Sequence, residues 1–549
     1  MSRFLPITMA RVMTAATLVL GGGLGCGEAS APLGEPDETA DDTTTGTTTE
    51  DHVEVDPAPP HDPDALTCEE MPSCDPSIVV AADGPALLIT DPVVLAELPL
   101  KRVLEQIWKL HGSERSPEEA LQRLFDTMNT SGGGRFPDVH HCDEADNPSI
   151  VSGSGDSPTC PRAEGSLAFS EDLLATDEVG SFVPVAVVNR FDLTPFDGSR
   201  CGQYRIIYAR QSGLLDPDDR VFLIFEAALE NPLPGCLETC RPVANFWRDL
   251  QGRPSPEIAD RVSSFFFDGL PHFKPVVHPI HYGLGAEDGG YGALESGQIR
   301  MSMHMQDPWI MRELRVDLDP ATGSLAILPA TVKSNPPVAL FDPTLPSDAG
   351  EALRTMFVEK EVTHLAGTRL QDLRMFSPLG LDGAESVLSG DKKNDYLAAA
   401  IGGGDASFAD MVTVALEAAV ADSPELTESC PTGDPLDATA IFRRATGVSC
   451  AGCHAPGELL GQTRALGCGL TWPDSLGRVH VDEQGQLSPA LRDVFLPHRA
   501  GVLGAFLQAC DEAAIGDFLR RDGSSGDSEE GQTPLEDHRV RTLGGSTIH

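Results

Sequence analysis

Val221-Phe222-Leu223-Ile224-Phe225-Glu226-Ala227-Ala228-Leu229 is a run of branched and aromatic side chains, the composition that fits a pleated, buried surface. The same texture recurs at 185–191, 204–209, 299–305 and 314–318. Asp319-Pro320-Ala321-Thr322-Gly323 lies between Val316/Leu318 and Leu325/Ile327, so it reads as a hairpin turn. Upstream, Ser116-Pro117-Glu118-Glu119 opens a helix: Ser caps, Pro fits the first turn and Glu119 takes the acid position of a capping box. Leu121, Leu124, Phe125 and Met128 then repeat at helical spacing and define one buried face. Past residue 346 helices are expected near 348–358, 408–421 and 436–445, the last opened by Asp434-Pro435 and followed by Gly447. Val502, Leu503, Phe506 and Leu507 make a further helical stripe, extended by Ile515, Phe518 and Leu519. The expected class is α+β: a mostly antiparallel, β-rich domain with some helices at 66–345, then a mainly α-helical domain at 346–521.

The two ends have a different character. Residues 1–25 hold Arg3 and Arg11 and then an apolar run at 12–20 that is too short to span a bilayer, so they read as a secretory signal. Leu24-Gly25-Cys26 resembles the lipoprotein box, which implies lipid attachment at Cys26; Gly23 departs from the Leu preferred there. Cleavage at Ala29-Ser30-Ala31 is the rival reading, and both place the protein outside the cytoplasm. From 26 to 65 follows an acidic, Thr-rich linker whose apolar content is too low to offset its ordering entropy. Residues 522–549 are Gly-, Ser- and acid-rich and read as a mobile tail. Lipid would tether the chain to a membrane, as an outer-membrane lipoprotein on the periplasmic or cell-surface side.

The chain has 549 residues, too many for one ordinary core, with 84 acidic against 39 basic side chains and a formal net charge of −45. A field that negative repels a polyphosphate, so no nucleic-acid partner is expected. Hydrophobic residues at 40% and charged residues at 22% are an ordinary globular balance.

Thirteen cysteines stand at 26, 68, 74, 142, 160, 201, 236, 240, 430, 450, 453, 468 and 510. Setting Cys26 aside leaves an even number, and that density suits disulfides in an oxidising compartment. Local pairs such as Cys68 with Cys74, Cys236 with Cys240 and Cys142 with Cys160 are candidates, although sequence alone cannot give connectivity.

One motif is sharp. Cys450-Ala451-Gly452-Cys453-His454 is the Cys-x-x-Cys-His signature of covalent haem attachment, and composition gives it about 0.01 chance occurrences in this chain. Two thiols at this spacing reach the vinyl groups on one porphyrin edge, and the adjoining His is carried under the iron. With Phe442-Arg443-Arg444-Ala445-Thr446-Gly447-Val448-Ser449 before it and Ala455-Pro456 after, the segment resembles the opening of a small cytochrome c domain. The resemblance covers at most about a seventh of the chain. It implies haem c bound through Cys450 and Cys453, His454 as the proximal iron ligand, the 502–507 helix packed against the first, and electron transfer with an unknown redox partner protein. The usual downstream Met ligand is missing, since the last Met is Met411. His480 or His498 is then the candidate sixth ligand, or the site stays open, or the first domain supplies Met301, Met303 or Met305.

Two other readings of the motif stand beside this one: Cys450 and Cys453 in disulfides, with each other or with Cys430, Cys468 or Cys510, or a zinc site of Cys450, Cys453, His454 and Cys468. Elsewhere, His278-Pro279-Ile280-His281 with His304 is a weaker copper or zinc candidate, and His140-His141-Cys142 weaker again. The acidic turns Asp216-Pro217-Asp218-Asp219 and Glu287-Asp288-Gly289-Gly290 lack the ligand spacing of a calcium loop and read as solvated. No nucleophile elbow, phosphate loop or His-Glu-x-x-His helix is present, so no catalytic residue is assigned. The first expectation is an exported, membrane-anchored mono-haem electron-transfer protein; a disulfide-rich surface lipoprotein that binds a partner without a cofactor is the alternative.

Overall fold

The computed structural model describes Cys68, Cys74 and residues 76–509, apart from 114, 145–159, 177, 287–295, 320–321, 346, 378–380, 384, 389–392 and 402–406. The expected signal peptide, Cys26, the linker, Cys510 and the tail lie outside the described residues.

The β texture does form strands. They are β1 (Leu88–Ile89), β2 (Phe182–Arg190), β3 (Arg200–Arg210), β4 (Val221–Glu230), β5 (Gln298–Met303), β6 (Ile310–Leu318), β7 (Leu325–Ala330) and β8 (Glu385–Val387). All eight belong to one sheet, β1 to β7 lying side by side in chain order and each antiparallel to its neighbour. The turn at Asp319 joins β6 to β7, with Asp319 N donating to Ser324 O at 2.8 Å and Gly323 in the left-handed region at φ 67°. β8 pairs antiparallel with Ile310–Arg312 of β6, on the edge that β7 uses further along.

β8 comes from beyond residue 346, the expected start of a helical domain. Three residues are too few to show a period of two, so the sequence hides this strand. It matters for the architecture, because the sheet and the helices after 346 share a continuous buried core, and the described residues fall in one compact unit. The change in texture near 345 marks a change of secondary structure within that unit.

The period of two along each strand assigns its residues to opposite faces of the sheet. On one face, Tyr204 of β3 stacks on Trp247 with ring centroids 5.6 Å apart and meets Phe265 edge-on at 5.3 Å. Tyr208 donates its hydroxyl to Leu98 O at 2.9 Å and packs edge-on against Phe225. The longer helices in this part of the chain are α1 (Leu100–His111), α2 (Pro117–Asp126), α3 (Arg241–Arg248) and α4 (Ser255–Phe267). The Ser cap of α2 holds, since Ser116 Oγ accepts from Glu119 N at 3.1 Å and Leu121, Leu124, Phe125 and Met128 are buried, while the Glu119 carboxylate lies 3.5 Å from both Arg115 and Arg123.

Beyond the sheet come α5 (Asp348–Met356), α6 (Ser407–Asp422), α7 (Ala438–Val448), α8 (Cys450–His454) and α9 (Leu496–Gln508). α9 buries Val502, Leu503, Phe506 and Leu507, the stripe read from the sequence. α7 departs from expectation at both ends. Its cap is Asp437, whose side chain accepts from Ala440 N at 2.8 Å, and Gly447 lies inside the helix instead of after it. A Cβ at Gly447 would come within 3.3 Å of the Trp472 ring, so the glycine serves close packing there. Among the described residues no helix is long and apolar enough to cross a membrane.

Cysteine pairing corrects the local expectation. Cys68 bridges Cys236, Cys201 bridges Cys240, Cys430 bridges Cys468, and Cys142 bridges Cys160 as read. Cys236 and Cys240 flank a single 3-10 turn, and each is tied to a residue distant in the chain, which neighbour spacing cannot reveal.

Candidate cofactor site

α7 brings the chain to Ser449, which breaks the helix with an extended backbone and caps the next one. Ser449 Oγ donates to Thr446 O at 2.7 Å and accepts from Gly452 N at 3.1 Å. The turn back onto α7 is so close that a Cβ at Gly452 would stand 1.8 Å from Thr446 O, so no larger residue fits. One short helix, α8, therefore carries Cys450, Cys453 and His454, all buried.

Cys450 and Cys453 are thiols, whereas every other described cysteine is in a disulfide. The disulfide partners proposed for them at 430 and 468 are bonded to each other. That pairing also removes Cys468 from the zinc reading, and among the described residues no group of three or more His, Cys, Asp or Glu is placed to hold a metal ion. Burial pushes both thiols up to about 12, so they are neutral and unreactive as they stand.

His454 is oriented from outside its helix. Its Nδ1 donates to Arg478 O at 2.8 Å, which leaves Nε2 with the lone pair. Arg478 holds a left-handed backbone at φ 68°, and its guanidinium is tied to Glu458 at 2.9 Å. The Trp309 ring stacks on the imidazole, with centroids 5.4 Å apart and planes 27° apart. Burial holds the His454 pKa down to about 4.

Cys450 and His454 stand on the wall of a cavity of about 80 Å3. The sheet forms its opposite wall, through the face turned away from the aromatic side: Arg205 and Ile207 of β3, Phe222, Ile224 and Glu226 of β4, Arg300 and Ser302 of β5, and Met311 of β6. His480 and Arg499 complete the rim. His480 Nδ1 lies 2.9 Å from Ser488 Oγ, its Nε2 lies 3.2 Å from Cys453 Sγ, and its ring centroid is 4.7 Å from that of His454. Burial drives the His480 pKa well down, with the neighbouring His454 acting in the same direction.

The two candidate sixth ligands thus separate. His480 lines the cavity; His498 is half-buried on α9 and does not. Met301 and Met303 alternate along β5 with Arg300 and Ser302 and so point to the other face, away from the motif, while Met305 lies beside Arg210. The expected Met stripe is core. Met311, which the sequence reading passed over, is the methionine on the cavity wall.

The weaker metal candidates do not assemble. His281 Nδ1 donates to Val276 O at 3.1 Å and its Nε2 accepts from Glu230 N at 3.3 Å, while His304 lies by Trp309 instead. His141 is buried against Asp126 and Glu144. The Asp216 turn is held by its own side-chain bond to Asp218 N and by the Arg210–Asp219 pair.

Sequence reasoning missed the sheet's contribution to this site. Charges inside a strand were the available signal: Arg205 and Glu226 face each other across β3 and β4, 3.1 Å apart. Arg300 approaches Glu226 at 3.6 Å and Glu313 at 3.2 Å, and against the opposing effect of burial these two acids hold its guanidinium charged. Arg205, Glu226 and Arg300 are all under 10% exposed. Buried charges of this kind persist only when paired.

The donor chemistry fits a covalently attached haem: two thiols on one helical turn, an imidazole with Nε2 left to coordinate, and a largely apolar cavity beside them. The volume is well below the roughly 300–1,000 Å3 of a small-molecule pocket, so a macrocycle would need the walls of this cavity to part. The loop from 476 to 488 that carries His480 is held by Leu476 N to Val479 O at 2.8 Å, Asp482 N to Gln486 O at 3.1 Å, Ser488 N to His480 O at 2.9 Å and an antiparallel bridge of Val481 with Leu487, and its Glu483 pairs with Arg220 at 2.8 Å. No family model, no curated protein and no solved structure matches this chain.

Proposed function

We propose that the protein is an exported, membrane-anchored mono-haem electron-transfer protein with a c-type cytochrome-like attachment site. The observation that carries this reading is the state of Cys450 and Cys453: in a chain whose other described cysteines are bridged, these two remain thiols on one turn next to His454, with Cys450 and His454 on a cavity wall. A haem bound there supplies one-electron chemistry. Cys450 and Cys453 would hold it as thioethers and His454 Nε2 would be the proximal ligand. The bond from Nδ1 to Arg478 O fixes the tautomer and raises the basicity of Nε2. Trp309 covers the imidazole and keeps water from it. His480 is the preferred sixth ligand, positioned by Ser488; His498 is the lesser choice. Lipid on Cys26 would tether the chain to the outer membrane, with a redox protein as partner and no nucleic acid.

A second reading is favoured by the small cavity and the neutral thiols: a disulfide-stapled surface lipoprotein that binds a partner without a cofactor. Expression of the full chain in cells able to attach haem covalently separates the two. The first reading expects a haem stain that survives denaturing electrophoresis and a haem visible spectrum, both abolished in Cys450→Ala/Cys453→Ala. A colourless, unstained protein rejects it. In stained protein, His480→Ala should change the spectrum and His498→Ala should not.

A further inference from the structure

The first and last described segments are fastened at one place. At the start, Cys68 is bridged to Cys236. At the end, Arg241, next to Cys240, collects the last carbonyls of α9: its Nη1 donates to Phe506 O at 3.1 Å and its Nη2 to Ala509 O at 2.9 Å. A helix leaves these carbonyls without partners of its own, and here a buried arginine satisfies them. Gln508 then crosses to the first segment, its Nε2 donating to Ile78 O at 2.6 Å.

Cys74 lies between the two fastenings of that first segment, after Cys68 and before Ile78, and it is in a disulfide. The count of cysteines narrows its partner. Of thirteen, the four bridges described above and the two thiols on α8 take ten, so that besides Cys74 only Cys26 and Cys510 are left. Cys510 directly follows Ala509, whose carbonyl Arg241 holds, and two trans peptides keep its Cα within about 8 Å of that of Gln508. A disulfide needs Cα atoms about 4.4–6.8 Å apart, and the contact of Gln508 with Ile78 brings the two segments within that reach. Cys26 is separated from Cys74 by the acidic, Thr-rich linker, whose closure costs entropy that its composition gives no means of recovering.

We infer that Cys74 is bridged to Cys510, so that a disulfide closes the folded region end to end. The bond joins the two Sγ atoms and breaks both S–H bonds; two protons go to water, and two electrons go to a protein disulfide of the oxidising compartment, which is left as two thiols. The inference rests on the export half of the reading above and is independent of haem. It also bears on the anchor. With Cys510 taken, Cys26 is the one cysteine left over, which is the state that lipid attachment requires. The closed loop is longer than the 168-residue span of Cys68–Cys236, and such a crosslink acts chiefly by restricting the unfolded chain.

The test uses the full-length chain, produced with its own amino-terminal segment in a bacterium that has a periplasm. The protein is alkylated without reduction, digested and mapped by mass spectrometry. A peptide pair joining Cys74 to Cys510 is expected beside the Cys68–Cys236 pair, and both should vanish on reduction. Cys510→Ser should open Cys74 to alkylation, whereas Cys26→Ser should leave the pair intact. In urea, Cys74→Ser, Cys510→Ser and the double variant should lower the midpoint by the same amount, because each removes the same bond. A parent whose other bridges are formed while Cys510 is alkylated, a Cys26→Ser protein in which Cys74 becomes alkylated, or losses that add in the double variant overturn the staple and leave the export reading intact. A parent with every cysteine alkylated removes both.

Discussion

The two faces of one sheet are built from opposite chemistry. One face of β3 and β4 carries Tyr204, Tyr208 and Phe225 and is filled by Trp247, Phe265 and Tyr282. The other face of the same strands carries Arg205, Phe222 and Glu226, and meets a cavity. Alternate residues along a single strand therefore make a packed aromatic core and an ionised wall. The lesson is that the filled face holds the fold together, whereas the ionised face gives up packing for a site.

A matched pair of substitutions puts the largest strain on this contrast. Phe265 on the filled face and Phe222 on the cavity wall are the same residue type and both are buried, at 0% and 2% exposure. Phe265→Ala should cost about 5 kcal/mol, because it strips contacts from Tyr204, Trp247, Phe246 and Phe266 and leaves a new void. Phe222→Ala should cost about 3 kcal/mol, since its ring already borders empty space and forfeits fewer neighbours. Urea unfolding of the two variants reads the difference. Equal losses would break the comparison.

This contrast also sorts what could be read from the sequence. Strands β2 to β7 and helix α2 were legible because branched residues and a Ser cap followed by Pro leave local signals. The motif at 450–454 was legible because its spacing is rare and its chemistry is contained in five consecutive residues. The wall opposite it was not. Arg205, Glu226, Arg300 and Met311 come from four strands and meet only after pairing, so no local spacing links them. Gly447 was misread as a helix end because its reason, the Trp472 ring, lies in a distant segment. β8 was missed because a strand of three residues has no readable period.

Acid sharpens the comparison further. His281 is fully buried at the edge of the filled face, committed at both nitrogens to backbone groups, and burial lowers its pKa to about 4. The unfolded chain takes up a proton near 6.5 and the folded one does not until about 4. Its contribution is therefore fully present above 6.5 and is lost as pH falls through that window, by about 3 kcal/mol in all. His281→Gln should flatten the stability profile over that range by close to one proton. Glu226 on the ionised face and Asp192 in the turn after β2 are held below the usual carboxylate range by Arg190, Arg205, Arg300 and Arg499, despite the opposing effect of burial. Their contribution is present above the ordinary carboxylate pKa and disappears only below it. A His281→Gln profile unchanged between 6.5 and 4 would show that this imidazole does not report the filled face.

The smallest effect tests how α8 is held. Ser449 caps the motif helix through Gly452 N, and it is buried, so Ser449→Ala removes the cap and leaves Thr446 O without the hydroxyl's donation. In protein made without haem attachment, the loss should be about 1 kcal/mol, the ordinary worth of a helix cap. In haem-loaded protein two thioether bonds on the same turn would restrain Cys450 and Cys453 in the unfolded chain as well as the folded one. The turn then has less freedom to gain when the cap is lost, and the cost should fall below that of the haem-free chain. Thermal or urea unfolding of the parent and Ser449→Ala, each in both states, gives the comparison. If the cap is worth the same with and without haem, the covalent bonds do not restrain this turn, and α8 owes its shape to its backbone alone.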